Sequence, residues 1–431
     1  MKVIVIGAST GGLLTAYRLG KGGHEVIVFD VKSYDGLGYD WHDYVWADFF
    51  DLLGFGEIDI EIFRKNNMSF DIYGYDKIVR LEQDEQDREY AVGRKELSRF
   101  LYKKADECSK IFLGKHVDSL IIDEGAVKGV SIGEEKYYAD LVVDNSGIFS
   151  SFRGQLPDNA NIEKETDCKN IMFAYRAAFR KTGADTADDD TKCYLRHLGQ
   201  EGISWVNIED GNKIDVLIGR LGRLSLDEAE RILLSLRLEN KFIGEKLCGG
   251  DKIYAIPVRY PATKLFCGGY VMIGDSAFMT VPLLGSGMYP SAVAANILCG
   301  VINEGDVSEG NLYRYQQEFY TKIGASFFEL DVVKTFLLNF DTKKISILFK
   351  SGIVGIKDIT DIYNAKPFDY SFKEVLRKGK KGVFHPAILL TMLRLLKKTK
   401  KIKGLVGKMP KSYDGKKLSA WQRKVRIFFK L

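Results

Sequence analysis

The stretch KVIVIGASTGGLLTAYRLGKGGHEVIVFD, residues 2–30, decides the fold of the chain. It contains an apolar run at 2–6, a glycine-rich segment from Gly7 to Gly12, a helical pattern and a second apolar run that ends in Asp30. Short apolar runs of this kind are typical of buried strands, and two such strands joined by a helix form a βαβ unit. The stretch therefore predicts an α/β domain with a parallel sheet at the start of the chain.

The glycine-rich segment has the features that bind a dinucleotide. Gly7 allows a tight turn, Gly12 lets helix and strand pack closely, and the helix N-terminus offers N–H groups to a pyrophosphate. Asp30 can accept hydrogen bonds from ribose hydroxyls. Ser9 stands in place of the usual middle glycine and crowds the phosphate approach, although its hydroxyl can donate to phosphate. The segment predicts a Rossmann-like site for FAD or NAD; the alternative is a generic tight βα turn.

The composition is that of an ordinary globular protein. The chain has 431 residues, of which 45% are hydrophobic and 28% charged, and this length suggests two or three domains, or one large core with insertions. The first apolar run is too short for a signal-peptide core, so we expect a cytoplasmic protein. The six cysteines contain no Cys-x-x-Cys pair, which argues against a zinc site or a dense disulfide framework. A single bridge between Cys168 and Cys193 stays open.

An uncharged segment at 276–303 has the length of a membrane span. Prolines and glycines interrupt its first half, at Pro282, Gly285, Gly287 and Pro290. This leaves residues 291–302 as a helix, which is too short to cross a bilayer. We therefore expect a buried helix behind a glycine-rich loop.

Positive charge is concentrated at the C-terminal end. Residues 371–431 contain 19 lysines and arginines and only two acids, whereas the whole chain has a net charge of +5. Residues 385–408 combine an apolar helical run with a lysine cluster, which suits peripheral contact with an anionic membrane. The alternative is a solvated helical region. No recognised nucleic-acid-binding module accompanies the charge, so we expect no nucleic-acid partner.

Three further segments carry the glycines and polar residues of a flavin site. Residues 90–101 place Arg94 at the start of a helix, and residues 140–153 run from a buried strand into Asn145-Ser146-Gly147. Residues 270–297 run from a strand into Gly274-Asp275 and then through Gly285-Ser286-Gly287 into a helix. The aspartate can bind a ribityl hydroxyl, and the helix N-terminus can stabilise negative charge on a reduced flavin.

These four segments, in this order, resemble the glutathione-reductase-type FAD oxidoreductases, which include aromatic hydroxylases and geranylgeranyl reductases. The resemblance covers about residues 1–300. It implies an FAD-binding domain at 1–160 and 261–330 with strands inserted near 55–90, interleaved with an antiparallel-sheet substrate domain at 161–260. A helical basic region at 331–431 follows. The resemblance also implies that FAD is bound by Gly7, Ser9, Thr10, Gly11, Gly12, Asp30, Arg94, Asp144, Gly147, Gly274, Asp275, Pro282, Gly285, Ser286, Gly287 and Met288.

Within this group the chain is most similar to the geranylgeranyl reductases. Residues 202–222 form a predicted hairpin with its turn at 210–212, and they resemble the Tyr-x-Trp-x-Phe-Pro hairpin of those enzymes. Trp205 takes the tryptophan position, but Asn207-Ile208 stands where Phe-Pro is expected, and a core tryptophan is the alternative. Phe278 occupies a position where many aromatic hydroxylases have a histidine. No second Gly-x-Gly-x-x-Gly follows residue 150, so we expect an external electron donor, ferredoxin or NAD(P)H.

The resemblance implies an enzyme that reduces carbon–carbon double bonds of an isoprenoid or lipid by hydride transfer from reduced flavin. Some relatives place a cysteine beside the flavin shortly after the second strand, but GYDWHDYVW, residues 38–46, has none. His42 and Asp43 are therefore the candidate catalytic residues, and Trp41, Trp205 and Asn207 the candidate substrate-binding residues. A metal site here is disfavoured because further ligands are lacking. The alternatives are a single-component FAD monooxygenase and a non-catalytic flavin- and lipid-binding protein.

Overall fold

The predicted βαβ unit opens the fold. The computed structural model describes residues 1–56, 58–64, 68–72, 79–81, 89–183, 191–209, 212–355, 358 and 385–430. Strand β1 spans Lys2–Ile6, helix α1 spans Thr10–Lys21 and strand β2 spans Glu25–Asp30. Strands β1 and β2 pair in parallel. The strand and helix predictions for this stretch are confirmed.

The other elements follow in chain order. The strands are β3 (His42–Val45), β4 (Ile62–Arg64), β5 (Met68–Ile72), β6 (Val79–Leu81), β7 (Tyr90–Gly93), β8 (Lys110–Leu113), β9 (Ser119–Asp123), β10 (Ala126–Ile132), β11 (Glu135–Tyr138), β12 (Leu141–Asp144), β13 (Ile171–Lys181), β14 (Thr191–Leu195), β15 (Gly202–Glu209), β16 (Lys213–Leu221), β17 (Ile243–Gly249), β18 (Tyr254–Pro257), β19 (Phe266–Cys267) and β20 (Tyr270–Met272). The helices are α2 (Phe49–Leu53), α3 (Arg94–Asp106), α4 (Phe152–Gln155), α5 (Leu226–Glu239), α6 (Met288–Glu304), α7 (Glu309–Phe319), α8 (Ala325–Leu338), α9 (Thr342–Lys350), α10 (Pro386–Val406) and α11 (Gly415–Lys430).

A six-stranded sheet carries the N-terminal unit. Its strand order is β19-β20-β12-β1-β2-β8, and every pairing in it is parallel except that of β19 with β20. Strand β12 is fully buried, as are four of the five residues of β1, which fits a sheet covered on both faces. The register sets Ile6 beside Asp144, and Asp144 beside Met272. The carboxyl ends of β1, β12 and β20 therefore meet at one edge of the sheet.

A second, larger sheet lies beside the first. Its order is β17-β13-β16-β15-β14-β5-β6, with β18 also paired to β13, and only the pairing of β14 with β5 is parallel. Helix α5 covers it with Ala229, Ile232, Leu233 and Leu236. The predicted hairpin is confirmed as the antiparallel pair β15–β16, although residues 210 and 211 of its turn lie outside the described residues. A three-stranded sheet, β3-β7-β4, contains part of residues 38–46.

Helix α6 begins earlier than expected. The sequence predicted it from residue 291, after Pro290, but it begins at Met288. Proline is tolerated in the first turn of a helix because the N–H groups there have no intrahelical partner. With 17 residues, α6 is still shorter than a bilayer requires. Within the described ranges, no helix has both the length and the apolar character needed to cross a membrane.

The six cysteines all fall within the described residues, and none of them is part of a disulfide bond. Cys193 is buried in β14, whereas Cys168 is exposed, and the two form no bridge. In the described part of the chain, no group of three or more histidines, cysteines or acids is placed to hold a metal ion.

Candidate active site

The turn after β1 is possible only with glycine. Gly7 has a φ of +106°, and a Cβ atom there would lie 2.3 Å from the carbonyl oxygen of Asn145. A Cβ atom on Gly12 would lie 2.0 Å from the carbonyl oxygen of Gly7. Both distances are far below van der Waals contact, so a side chain at either position would separate strand and helix.

The N-terminus of α1 is arranged to receive an anion. The Ser9 side chain does not cap the helix; its hydroxyl accepts a hydrogen bond of 2.5 Å from the Asn145 side-chain amide. No acidic residue lies in the first turn, and the Thr10 hydroxyl is buried without a hydrogen-bond partner. Free N–H groups, the helix dipole and an unsatisfied hydroxyl together fit the pyrophosphate of a dinucleotide.

Asp30 stands at the end of β2 beside this turn. Its carboxylate accepts hydrogen bonds from the backbone N–H groups of Ala8 at 2.6 Å and Lys32 at 2.7 Å. These two bonds fix the side chain against the glycine turn, where its remaining lone pairs can accept ribose hydroxyls. Gly11 packs against Asn145, whose Oδ1 would lie 3.3 Å from a Cβ atom at position 11.

Asn145 joins the two glycine loops, and the sequence did not identify it as a site residue. It follows β12 directly, and its side-chain amide also donates to the Gly7 carbonyl at 3.2 Å. A Cβ atom on Gly274 would lie 2.8 Å from its Oδ1. The residue has no local signal in the sequence, because its place depends on β12 lying between β1 and β20.

Asp144 is placed behind the loop instead of facing an open site. It is completely buried, and its carboxylate accepts hydrogen bonds from the hydroxyls of Ser146, Ser150 and Tyr270. These bonds hold the loop that carries Gly147, whose φ is +97°. Asp144 therefore shapes the backbone of the site.

The second glycine loop lies at the same sheet edge. Asp275 is partly exposed, and its carboxylate accepts a hydrogen bond of 3.0 Å from Thr280. Burial raises the pKa of Asp275, and Thr280 and the charge of Arg94 oppose this only in part. The Val281 N–H donates to the Ser286 carbonyl at 3.0 Å, which closes the loop around Pro282. Gly285 has a φ of +71°, Gly287 caps α6, and Met288 is its first residue.

Arg94 connects the start of α3 to residues 38–46. It opens α3, its backbone N–H donates to the Trp41 carbonyl at 3.1 Å, and its guanidinium lies 3.0 Å from the Asp43 carboxylate. Asp43 also accepts a hydrogen bond from Arg176 of β13. Burial opposes the ionisation of Asp43, but the charges of Arg176 and Arg94 hold its pKa below the ordinary value.

Arg176 ties this segment to the large sheet, and sequence reasoning missed it. Its side chain is 5% exposed and forms two hydrogen bonds of 2.9 Å with the Asp215 carboxylate. Its guanidinium lies 5.0 Å from the ring of Trp41 and 5.3 Å from that of Trp205. The Trp205 indole N–H donates to the same Asp215 carboxylate at 2.9 Å. The two candidate tryptophans therefore flank one buried cation.

His42 and Asn207 take part in a neighbouring polar network. His42 Nδ1 lies 2.9 Å from the Glu209 carboxylate, which Lys213 approaches to 3.3 Å. Burial opposes the ionisation of Glu209, but the hydrogen bond and charge of His42, together with Lys213, keep its pKa below the ordinary value. Asn207 is 3% exposed and is hydrogen-bonded to Tyr44 and Thr191. Asn207 is therefore part of the packing between β3 and β15.

An aromatic cluster completes the wall beside Arg94. Tyr39 is stacked on Trp41 with ring centroids 4.4 Å apart, and Tyr254 meets both rings edge-on. The Arg94 guanidinium lies 5.3 Å from the Tyr39 ring. The sequence predicted Trp41 as a substrate-binding residue, but Tyr254 comes from β18 and was not predicted to lie beside it.

Comparisons with known proteins relate this chain to other proteins in sequence and in fold. No protein-family model matches the chain. The curated digeranylgeranylglycerophospholipid reductase of Sulfolobus acidocaldarius is 24% identical over 98% of this chain and 96% of its own length. A geranylgeranyl bacteriochlorophyll reductase-like protein of Thermoplasma acidophilum has a TM-score of 0.71 at 16% identity, over 91% of this chain and 98% of its own. The p-nitrophenol 4-monooxygenase of Pseudomonas putida has a TM-score of 0.63 at 16% identity, over 84% and 97%. The structural likenesses show a shared fold.

Proposed function

We propose that this chain, which belongs to the geranylgeranyl reductase family, reduces carbon–carbon double bonds of an isoprenoid or other lipid substrate with FAD as its cofactor. The observation that carries the proposal is the sequence relationship to a digeranylgeranylglycerophospholipid reductase over 98% of this chain and 96% of the relative. Because so little of either chain lies outside this relationship, it includes both the cofactor side and the substrate side.

The geometry of the glycine loops supports FAD. The first loop and the uncapped start of α1 would hold the pyrophosphate, and Asp30 the ribose. The second loop, with Asp275 and the start of α6, would hold the ribityl chain and the flavin. The charge of Arg94 acts on Asp275 of the second loop, and its guanidinium lies 5.3 Å from the Tyr39 ring of the aromatic wall. When bound and reduced, FAD supplies a hydride to one carbon of an alkene, and the other carbon requires a proton.

His42 and Asp43 take different roles in this proposal. Asp43 is held ionised between Arg94 and Arg176, so we assign it to positioning these cations. His42 is the candidate proton donor or relay, because its imidazole ring is 18% exposed and lies 2.9 Å from the buried Glu209 carboxylate, a distance over which a proton can be exchanged. Trp41, Trp205 and the aromatic cluster form the wall that an apolar substrate would contact.

Electrons and substrate both come from outside the chain in this proposal. The sequence after residue 150 has no second dinucleotide motif, which favours an external donor such as ferredoxin or NAD(P)H. A lipid substrate lies in a membrane, and the basic residues of 371–431 supply the charge for peripheral contact with an anionic surface.

The first test is the cofactor. We expect purified protein to release FAD on denaturation, and we expect Gly12→Ala to abolish FAD retention because its Cβ would strike the Gly7 carbonyl. Gly154→Ala is the matched control, since a Cβ atom there meets nothing within 4 Å, and it should retain FAD. Purified protein without any flavin, and without affinity for added FAD, would overturn the proposal.

The second test is turnover. Anaerobically reduced protein should be reoxidised by a geranylgeranyl lipid, with a saturated product identified by mass spectrometry. His42→Gln should slow this reoxidation about 100-fold or more, without changing FAD content. A protein that instead consumes oxygen and hydroxylates an aromatic compound is a monooxygenase. A protein that binds FAD and lipid but turns over neither is a binding protein.

A further inference from the structure

The outward face of α10 differs from that of an ordinary surface helix, because it combines exposed leucines with a lysine cluster and has no acidic residue. The inward face of this helix is buried through Ile388, Leu395, Thr399, Ile402 and Val406, which recur at helical spacing. Three of these residues, Leu395, Ile402 and Val406, belong to the main core of the protein. The helix is therefore fixed on the body, and its opposite face is held toward solvent.

That opposite face has two chemically distinct halves. Leu390 and Leu393, in the first half, are 51% and 47% exposed. Arg394 and the lysines at 397, 398, 400 and 401 follow in the second half, and all five are exposed. With 3.6 residues per turn, Leu390, Leu393, Arg394, Lys397 and Lys401 lie on one side of the helix.

Within the part of the chain that the structure describes, no ion pair compensates the charge of this face. Neither α10 nor α11 contains an aspartate or glutamate. No ion pair between described residues includes Lys397, Lys398, Lys400 or Lys401. Surface lysines on globular proteins are usually interspersed with acids, so an uncompensated cluster indicates an anionic partner.

Helix α11 extends the same basic surface. Lys401 of α10 lies 5.8 Å from the ring of Phe428 in α11, which brings the two helices together at the lysine cluster. The exposed residues of α11 include Lys416, Arg423, Lys424 and Lys430, and Ile427 is 51% exposed among them. Lys417 and Arg426 of α11 form ion pairs with Asp414 and Glu163, but the other basic residues of α11 form none within the described part of the chain. Both helices therefore combine exposed basic residues with exposed aliphatic side chains.

We infer that the outward face of α10, continued by α11, docks the protein flat on an anionic lipid bilayer. Leu390 and Leu393 enter the interface, and the lysines from 397 to 401 contact the headgroups. Exposed leucines beside lysines favour a bilayer over nucleic acid, because phosphates in water offer no apolar layer for the leucines. The inference takes its lipid partner from the proposed function, but docking requires no turnover.

The test is co-sedimentation of the full-length protein with vesicles, in the absence of substrate. We expect binding to phosphatidylcholine mixed with phosphatidylglycerol and much weaker binding to phosphatidylcholine alone. Each lysine near an anionic surface contributes about a fivefold gain in affinity, so K397Q/K398Q/K400Q/K401Q should weaken binding by at least about a hundredfold. The double variant Leu390→Ser/Leu393→Ser should lose the binding that persists at high salt, because salt screens the lysines but does not weaken apolar insertion of the leucines.

Two matched controls separate this face from general charge and apolarity. Lys103, Lys115, Lys128 and Lys136 are exposed elsewhere, and their joint replacement by glutamine should leave vesicle binding within about twofold of the original. Leu234 and Leu238 of α5 are 59% and 78% exposed, and replacing both by serine should also have no effect. Equal losses of vesicle binding in the control variants would overturn the inference. So would preferential binding to duplex DNA that the leucine substitutions leave unchanged. Intact lipid reduction in detergent by the α10 variants would show that the redox site is unaffected.

Discussion

Arg176 shows how one buried side chain can connect a predicted site to the rest of the fold. Its guanidinium forms hydrogen bonds with Asp215 and Asp43 and lies between the rings of Trp41 and Trp205. Burial opposes the charge on Arg176, but the two carboxylates hold its pKa above the ordinary value for arginine. A buried ion pair of this kind contributes little net stability, but removing one partner leaves an uncompensated charge.

The first prediction concerns this pair. Asp215→Asn should lower the free energy of unfolding by about 3 kcal/mol, because Arg176 and Asp215 have side chains that are 5% and 1% exposed. Asp40→Asn is the matched control, since its partner is Lys95 and the side chains are 57% and 27% exposed. That change should cost less than about 1 kcal/mol. Urea denaturation measures both, and equal effects would contradict the burial argument.

At the scale of elements, strand β3 directs the side chains of a short segment, rich in aromatic and polar residues, toward two different partners. Its alternation sends His42 and Tyr44 toward Glu209 and Asn207 of β15, while Asp43 reaches Arg94 at the start of α3. Pairing of β3 with β7 sets His42 opposite Gly93, which brings Arg94 alongside. The separation of the two candidate catalytic residues is thus a property of the strand.

The second prediction concerns the effect on stability of replacing glycines within helices by alanine. Gly404 lies in α10, and a Cβ atom there would meet nothing within 4 Å, so Gly404→Ala should raise the free energy of unfolding by roughly 0.5–1 kcal/mol. Gly20→Ala in α1 should do the opposite, because its Cβ would lie 2.4 Å from the carbonyl oxygen of Cys108. Thermal denaturation of both variants tests the pair. Destabilisation by both would mean that α10 does not tolerate the added methyl group.

At the scale of the whole molecule, two sheets supply the polar residues of the candidate site. The parallel sheet supplies the glycine loops, and the antiparallel sheet supplies Arg176, Glu209 and Asp215. Residues 38–46 contact the antiparallel sheet through Arg176 and Glu209, and the start of α3 through Arg94. A molecule held together by buried polar groups should be sensitive to pH, and one buried histidine permits a specific prediction.

His197 should make stability fall in mild acid. It is completely buried, and burial together with the charge of Arg220 lowers its pKa to about 4. Below about pH 6.5 the unfolded chain binds a proton at this position, whereas the folded chain does so only near pH 4. The folded state therefore loses up to about 3 kcal/mol of relative stability as the pH falls through this window.

His197→Gln measures this contribution. Its free energy of unfolding should depend less on pH between about 6.5 and 4 than that of the original protein. His116, whose side chain is 70% exposed, is the control, and His116→Gln should leave the slope unchanged. An identical slope for His197→Gln and the original protein would show that the imidazole is not the source.

The sequence by itself determined the βαβ unit, the two glycine loops, the start of α3 at Arg94 and the hairpin β15–β16, because each depends on local spacing and backbone conformation. It also carried the resemblance to the geranylgeranyl reductases and the candidate residues within 38–46. Only the tertiary structure decided what those residues contact. Asn145, Arg176, Glu209 and Asp215 became visible through the pairing of β12 with β1 and of β13 with β16, and strand pairing between distant segments is set by packing of the whole chain. Local patterns therefore fixed the glycine loops, and long-range pairing fixed the side chains around them.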